Sequence, residues 1–226
     1  MKILKTLTAT AALLMAASTG QAADLTSGGS LKDGSINPFA PAFNWNGFYV
    51  EIGAGYGFDE VKSSSVANSV VANSVNLAAT GGIADFRLGY DYQFAKAGLG
   101  SLVIGPYGEI GNAFDINTSA KLSSNSNPIT FGNRWEYGGG AKAGYDYGTG
   151  QIYGILGYAH QDVSLSKFGT GLDGLKYGGG IQMKIFGPHV YAGLEVTRTD
   201  FNTFTTPSQI TVSPVQDAVM LKIGIH

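Results

Sequence analysis

His160 stands two residues before Asp162, with Ser164 and Ser166 close behind. Residues two apart on an extended chain share a face. This stretch is therefore the sequence's best material for an acid-oriented imidazole activating a serine, the chemistry of a surface hydrolase acting on membrane lipid. A nucleophile and its base must meet in space and not only in sequence, and a lone histidine near a strand end is more often a rim or loop residue. His189 and His226, at a strand start and the chain end, are weaker still, and no catalytic residue is assigned. Two glycine clusters, Gly53-x-Gly55-x-Gly57 and Gly138-Gly139-Gly140, have the composition of a phosphate loop. Each lies inside an alternating run and not at a strand-to-helix turn, which excludes a nucleotide site. The absence of cysteine excludes zinc-thiolate and thiol chemistry, and three histidines without a helical pair argue against a metal cage.

A second pattern lies in the charges. Within three stretches (Asp85, Arg87, Asp91; Arg134, Glu136, Lys142, Asp146; Lys176, Lys184), consecutive charged residues always stand an even number apart. Six such gaps would all be even by chance about one time in sixty without an underlying period of two. The elements positioning these residues are therefore strands. Phe48, Val50, Ile52, Ala54, Tyr56 and Phe58 alternate with Tyr49, Glu51 and Gly53, Gly55 and Gly57; Ala84 to Phe94 alternate in the same way with Asp85, Arg87, Gly89, Asp91 and Gln93. Runs at Trp135–Tyr147, Leu175–Ile185, Val190–Thr197 and Ala218–Ile225 repeat the pattern. Leu102–Phe114 is oriented by Glu109, which assigns Tyr107 and Gly111 to the polar face, although Pro106 costs a ladder hydrogen bond. Ile152–Asp162 is apolar on both faces and has no assigned orientation.

Connections near Ala95–Ser101, Gly148–Gln151 and Gly187–Pro188 are short, whereas Asp59–Gly82, Asp115–Asn133, Gln161–Gly174 and Asp200–Pro214 are long and polar. Strict alternation of short and long predicts an all-β, eight-stranded antiparallel up-and-down transmembrane β-barrel with four long external loops at one end. Lys2 and Lys5, an apolar stretch and Gly20-Gln21-Ala22 read as a signal peptide over residues 1–22, followed by a periplasmic tether over 23–44 and a barrel over 45–226. Removing 22 of 226 residues leaves 204, and the charge becomes 12 − 16 = −4, which argues against nucleic acid as a partner. The first long connection contains Val-Ala-Asn-Ser-Val twice, at 66–70 and 71–75, a duplication that an exposed loop tolerates.

Alternation is shared by membrane and soluble barrels, so the direction of the charged face needs a further argument. Glycines cluster on the same face as the charges. The inside of a narrow barrel needs such small neighbours beside long side chains, whereas a water-facing exterior does not. An interior charge network of Glu51, Asp85, Arg87, Asp91, Glu109, Glu136, Lys142, Lys176, Lys184, Glu195 and Lys222 follows. Phe48, Phe58, Tyr90, Tyr92, Phe94, Trp135, Tyr145, Tyr147 and Phe186 would form lipid-facing aromatic girdles. An eight-stranded barrel is just filled by its side chains, so a polar packed interior is expected, with a narrow porin-like channel as the alternative.

The run Trp45-Asn46-Gly47-Phe48-Tyr49-Val50, preceded by Ala22-Ala23-Asp24-Leu25, resembles the first strand of a family of small alphaproteobacterial outer-membrane β-barrel proteins of the OmpA-like superfamily. Leu194 to Phe201 is similar to that family's penultimate strand, although Val196 replaces a usual aromatic and the chain ends on Ile225-His226 instead of a terminal aromatic. The resemblance implies a surface antigen in the cell outer membrane, multi-pass, with both termini periplasmic. Its implied partners are outer-membrane lipid and lipopolysaccharide, the barrel-assembly machinery, and a host or extracellular ligand met through the loops. Some members bind hemin; no residue here carries a hemin-ligand motif, so no cofactor is assigned.

Overall fold

A computed structural model of the chain describes residues 44–67, 70–94, 100–114, 119–120, 129–130, 134–165, 168–186, 189–205 and 210–226. The signal segment 1–22 and tether residues 23–43 lie outside the described residues. Eight long strands run antiparallel in chain order: β1 Gly47–Ala67, β2 Val70–Gln93, β3 Ser101–Phe114, β4 Arg134–Asp146, β5 Gly150–Leu165, β6 Phe168–Phe186, β7 Val190–Phe201 and β8 Ile210–Ile225. β8 pairs back onto β1, closing the sheet into a barrel and removing both of its edges. This is the expected up-and-down architecture.

The registers fix the barrel's dimensions. Stepping from Asp59 through the directly paired residues Gln216, Thr199, Lys176, Gly157, Gly140, Tyr107 and Gly89 returns to β1 at Tyr49. The circuit is displaced by 59 − 49 = 10 residues. Ten residues of about 3.3 Å against eight strand spacings of about 4.8 Å give a strand tilt of about 41°. On β1 the outward apolar positions run from Phe48 to Phe58. At that tilt they span about 25 Å of height, the thickness of the apolar band on a membrane barrel.

Tight connections lie at one end. At β4–β5, Gly148 adopts a positive φ of 97°, its amide donates to Asp146 Oδ1 at 2.8 Å, and Tyr147 N donates to Gly150 O at 3.0 Å. A side chain would strain that left-handed position, which glycine occupies at little cost. The first and last strands end here too, with His226 N donating to His189 O at 2.9 Å.

The opposite end corrects the expectation of long polar loops. Asp59–Gly82 is a continuation of β1 and β2, paired from Asp59 with Ala79 to Ala67 with Val70, with a register shift between Ser63 and Ser65. Gln161–Gly174 is likewise a hairpin paired up to Leu165 with Phe168, and β8 begins within Asp200–Pro214, at Ile210. Valine and threonine favour strand whatever their polar neighbours, so the polarity of these segments disguised their backbone. Residues 68–69, inside the duplicated motif, lie outside the described residues, as does most of 115–133.

Candidate functional site: the barrel interior

Alternation carries directly into the cross-section. Phe48, Ile52, Leu88, Ile181 and Leu221 are exposed on the outside, while Glu51, Arg87, Gln182 and Lys222 from the same strands are buried inside. Only an apolar solvent matches such an exterior. β5, which the sequence left unoriented, turns Ile152, Leu156 and Tyr158 outward and Gln151, Tyr153, Ile155 and Gln161 inward. Its inward Tyr153 and Ile155 pack with Tyr49 and Tyr107 in one buried cluster, which is why both of its faces are apolar.

At the centre stands Arg87, fully buried. Its Nε and Nη2 donate to Glu109 Oε2 at 3.2 and 2.9 Å, Nη1 and Nη2 donate to the two oxygens of Glu195 at 2.6 and 2.8 Å, and Nη1 reaches Glu51 Oε2 at 3.3 Å. Three carboxylates on β1, β3 and β7 thus converge on one planar fork, which suits guanidinium better than ammonium. The guanidinium carbon also lies 4.6 Å from the Tyr107 ring centre. Around this clamp, Lys176 Nζ sits 2.5 Å from Glu109 and 2.9 Å from Glu136, and Lys222 pairs with Asp85 and lies 3.6 Å from Glu195. Tyr153 and Tyr191 donate hydroxyl hydrogen bonds to Glu195 and Glu51, each at 3.0 Å.

Toward the tight-turn end, Lys142 forms a separate pair with Asp91 at 2.6 Å, its ammonium 4.0 Å from the Tyr49 ring centre. Buried Trp45 packs edge-on against Tyr191 and His226, with ring centres 5.4 and 5.8 Å away. Lys184 stays out of the central network and donates to the turn carbonyl of Gly148 at 3.0 Å. At the hairpin end Arg134 pairs with Asp59. Sequence parity could have added Arg134, Asp59 and Asp146 to the network, since each shares its strand's charged face, and it also matches the inward positions of Trp45, odd like Glu51, and His226, even like Lys222.

Interior glycines have the steric role assigned to them. A Cβ on Gly89 would run into the Tyr49 ring, and one on Gly224 into the Tyr191 ring. The girdle residues lie outside, apart from half-buried Tyr147: Phe48, Tyr90, Tyr92, Phe94, Tyr145 and Phe186 toward the tight-turn end, and Phe58 and Trp135 toward the hairpin end. Phe114, Tyr137, Tyr158 and Tyr177 complete that second rim.

The hydrolase candidate takes a different shape from the sequence expectation. His160 Nδ1 meets Asp173 Oδ1 at 2.5 Å, a cross-strand partner that nearness in sequence did not reveal, and Asp162 is 3.6 Å from Nε2. Tyr158 donates to the same Asp173, and the Tyr137 ring lies 4.8 Å from the imidazole. Ser166 and the side chain of Ser164 lie outside what the structure describes. His189 Nδ1 lies 3.1 Å from the His226 carbonyl oxygen. Among the described residues no group of three or more His, Cys, Asp or Glu side chains is arranged to hold a metal ion.

A filled, polar interior inside an apolar belt defines the class: an eight-stranded membrane-spanning β-barrel. No family model matches the chain, and no curated protein matches it. Among solved structures, Neisserial surface protein A is similar at 15% identity over 80% of this chain and 97% of that one, with a TM-score of 0.44. The outer membrane protein OprG from Pseudomonas aeruginosa is similar at 12% identity over 80% and 97%, with a TM-score of 0.47. Ail, the attachment invasion locus protein of Yersinia pestis, is similar at 16% identity over 78% and 99%, with a TM-score of 0.38.

Proposed function

We propose that this chain is an outer-membrane barrel of a Gram-negative bacterium that serves as a sealed structural scaffold and displays its extended hairpins at the cell surface. The observation that carries the reading is the Arg87 clamp. A guanidinium bound by carboxylates from three strands, with the Tyr107 ring against it and Tyr49 and Tyr153 in the same buried cluster, supports a closed interior. A conducting pore would need those charges held back against the wall.

In this proposal the tight-turn end, with both strand termini, faces the periplasm, and lipopolysaccharide and lipid cover the apolar belt. The assembly machinery inserts the barrel, and the hairpins of β1–β2 and β5–β6 meet an extracellular ligand. In this proposal the imidazole of His160, held at Nδ1 by Asp173 and packed against the Tyr137 ring, braces the rim across β4, β5 and β6. The deciding experiment is single-channel recording of the purified protein in planar bilayers, with a heat-dependent shift in gel mobility as proof of folding. A folded protein with no steady conductance steps fits the scaffold; reproducible steps would replace it with the narrow channel.

A further inference from the structure

One arc of the wall takes no part in the aromatic rims. Each strand from β1 to β6 carries at least one exposed aromatic side chain on the outside, whereas β8 has no aromatic residue and β7 turns Tyr191 and Phe201 into the interior. The outward positions of these two strands are aliphatic over most of their length: Ala192, Leu194 and Val196 on β7, Val219, Leu221 and Ile223 on β8. The registers show where the rims break. At the tight-turn end, Phe186 on β6 is followed across the wall by Val190, Ile225 and Val50. At the hairpin end, the row from Tyr177 on β6 to Phe58 on β1 runs through Arg198 and Asp217. Aromatic girdles mark where a barrel meets the two lipid–water boundaries, so an arc without them is not built as an ordinary lipid-facing wall.

The charges on this arc have bonding capacity to spare. Arg198 Nε donates to Asp200 Oδ1 at 3.0 Å, and Asp200 also accepts from the Tyr177 hydroxyl at 3.0 Å. Arg198 Nη1 lies 3.6 Å from Asp217 Oδ2, too far for a hydrogen bond, and Nη2 has no hydrogen-bond partner among the described residues. A guanidinium and a carboxylate thus stand on the outer wall with donors and acceptors that acyl chains cannot fill. A phosphate headgroup would bring its negative charge beside two carboxylates, and a purely cationic partner would meet the guanidinium. What matches is a surface carrying both signs in the same arrangement.

We propose that the outer wall of β7 and β8 is an interface with a second copy of this chain in the same membrane, related by a two-fold axis along the membrane normal. Arg198 and Asp217 are direct cross-strand neighbours, so an axis passing between them sets the Arg198 of each copy against the Asp217 of the other. That is the self-complementary arrangement of an isologous contact. Toward the tight-turn end, the aliphatic side chains of the two walls meet with no aromatic ring between them, and Tyr177 and Phe58 border the contact. The pairing needs only a membrane-spanning barrel and holds whether the interior is sealed or conducts.

The test is cross-linking of the whole protein in lipid vesicles at a low protein-to-lipid ratio, where the absence of native cysteine lets single thiols be placed. A short bis-maleimide should join Val219→Cys, on β8, into dimers and leave Ile110→Cys, outward on the opposite wall, monomeric. In the Val219→Cys background, Arg198→Glu and Asp217→Arg should each cut the dimer yield on the order of tenfold through like-charge repulsion, and the exchanged pair Arg198→Glu/Asp217→Arg should restore it. The heat-dependent gel shift verifies that each variant is folded. Equal yields from the two walls, or a yield indifferent to charge reversal in folded protein, would overturn the proposal. Absence of dimers at both positions would show that lipid covers the arc and overturn it as well. Should a reversed variant fail to fold, the comparison of Val219→Cys with Ile110→Cys decides alone.

Discussion

Arg87→Met gives the sharpest test of the clamp. Methionine keeps much of the volume and removes the charge, leaving three carboxylates that were bound to one guanidinium. They do not lose equally. Glu109 retains Lys176 at 2.5 Å, and Glu195 retains Tyr153 at 3.0 Å and Lys222 at 3.6 Å. Glu51 retains the Tyr191 hydroxyl at 3.0 Å, a neutral donor, and is fully buried. Removing one partner of a buried pair costs about 3–5 kcal/mol, mostly as the penalty of the stranded charge. The five hydrogen bonds to Arg87 are not summed on top of this, because the surviving partners take up part of the loss. We therefore expect Arg87→Met to lose about 3–5 kcal/mol, and the double variant Arg87→Met/Glu51→Gln to recover about 1–3 kcal/mol of it. Equilibrium urea unfolding from lipid vesicles, followed by the fluorescence of Trp45 and Trp135 and by gel mobility, measures both. A loss below about 1 kcal/mol, the range of exposed ion pairs, would refute the clamp as a buried keystone. So would a double variant no better than the single one.

Gly89→Val places a branched side chain against the Tyr49 ring and should cost about 1–3 kcal/mol in the same assay, with Tyr49→Ala in the Gly89→Val background regaining part of it. Spin labels at Ile52, Leu88 and Ile181 should be broadened by lipid-soluble oxygen and not by a water-soluble nickel complex, since all three face outward within the apolar band. Replacing residues 63–76 by a short turn should leave the heat-dependent gel shift intact, because β1 and β2 remain paired from Gly47 with Asp91 to Lys62's neighbour Val61 with Leu77. Hemin titrated into the folded protein should show the absorbance of detergent-dissolved hemin, unchanged by His160→Ala; a sharpened, histidine-dependent Soret band would restore hemin binding.

The period of two, the identity of the two faces and the number of strands were legible in the amino-acid order, because each depends on local stereochemistry that repeats every second residue. Glu51, Arg87, Lys142 and Lys222 could be placed inside from their parity with glycines alone. What parity cannot contain is register. That Arg87 meets Glu195, 108 residues away, follows from the ten-residue displacement around the closed sheet, which belongs to no single strand. The same holds for His160 finding Asp173 across a hairpin and for β5 turning tyrosine and isoleucine inward. Closure brings distant strands to one axis, and only there do side chains of known facing acquire particular partners.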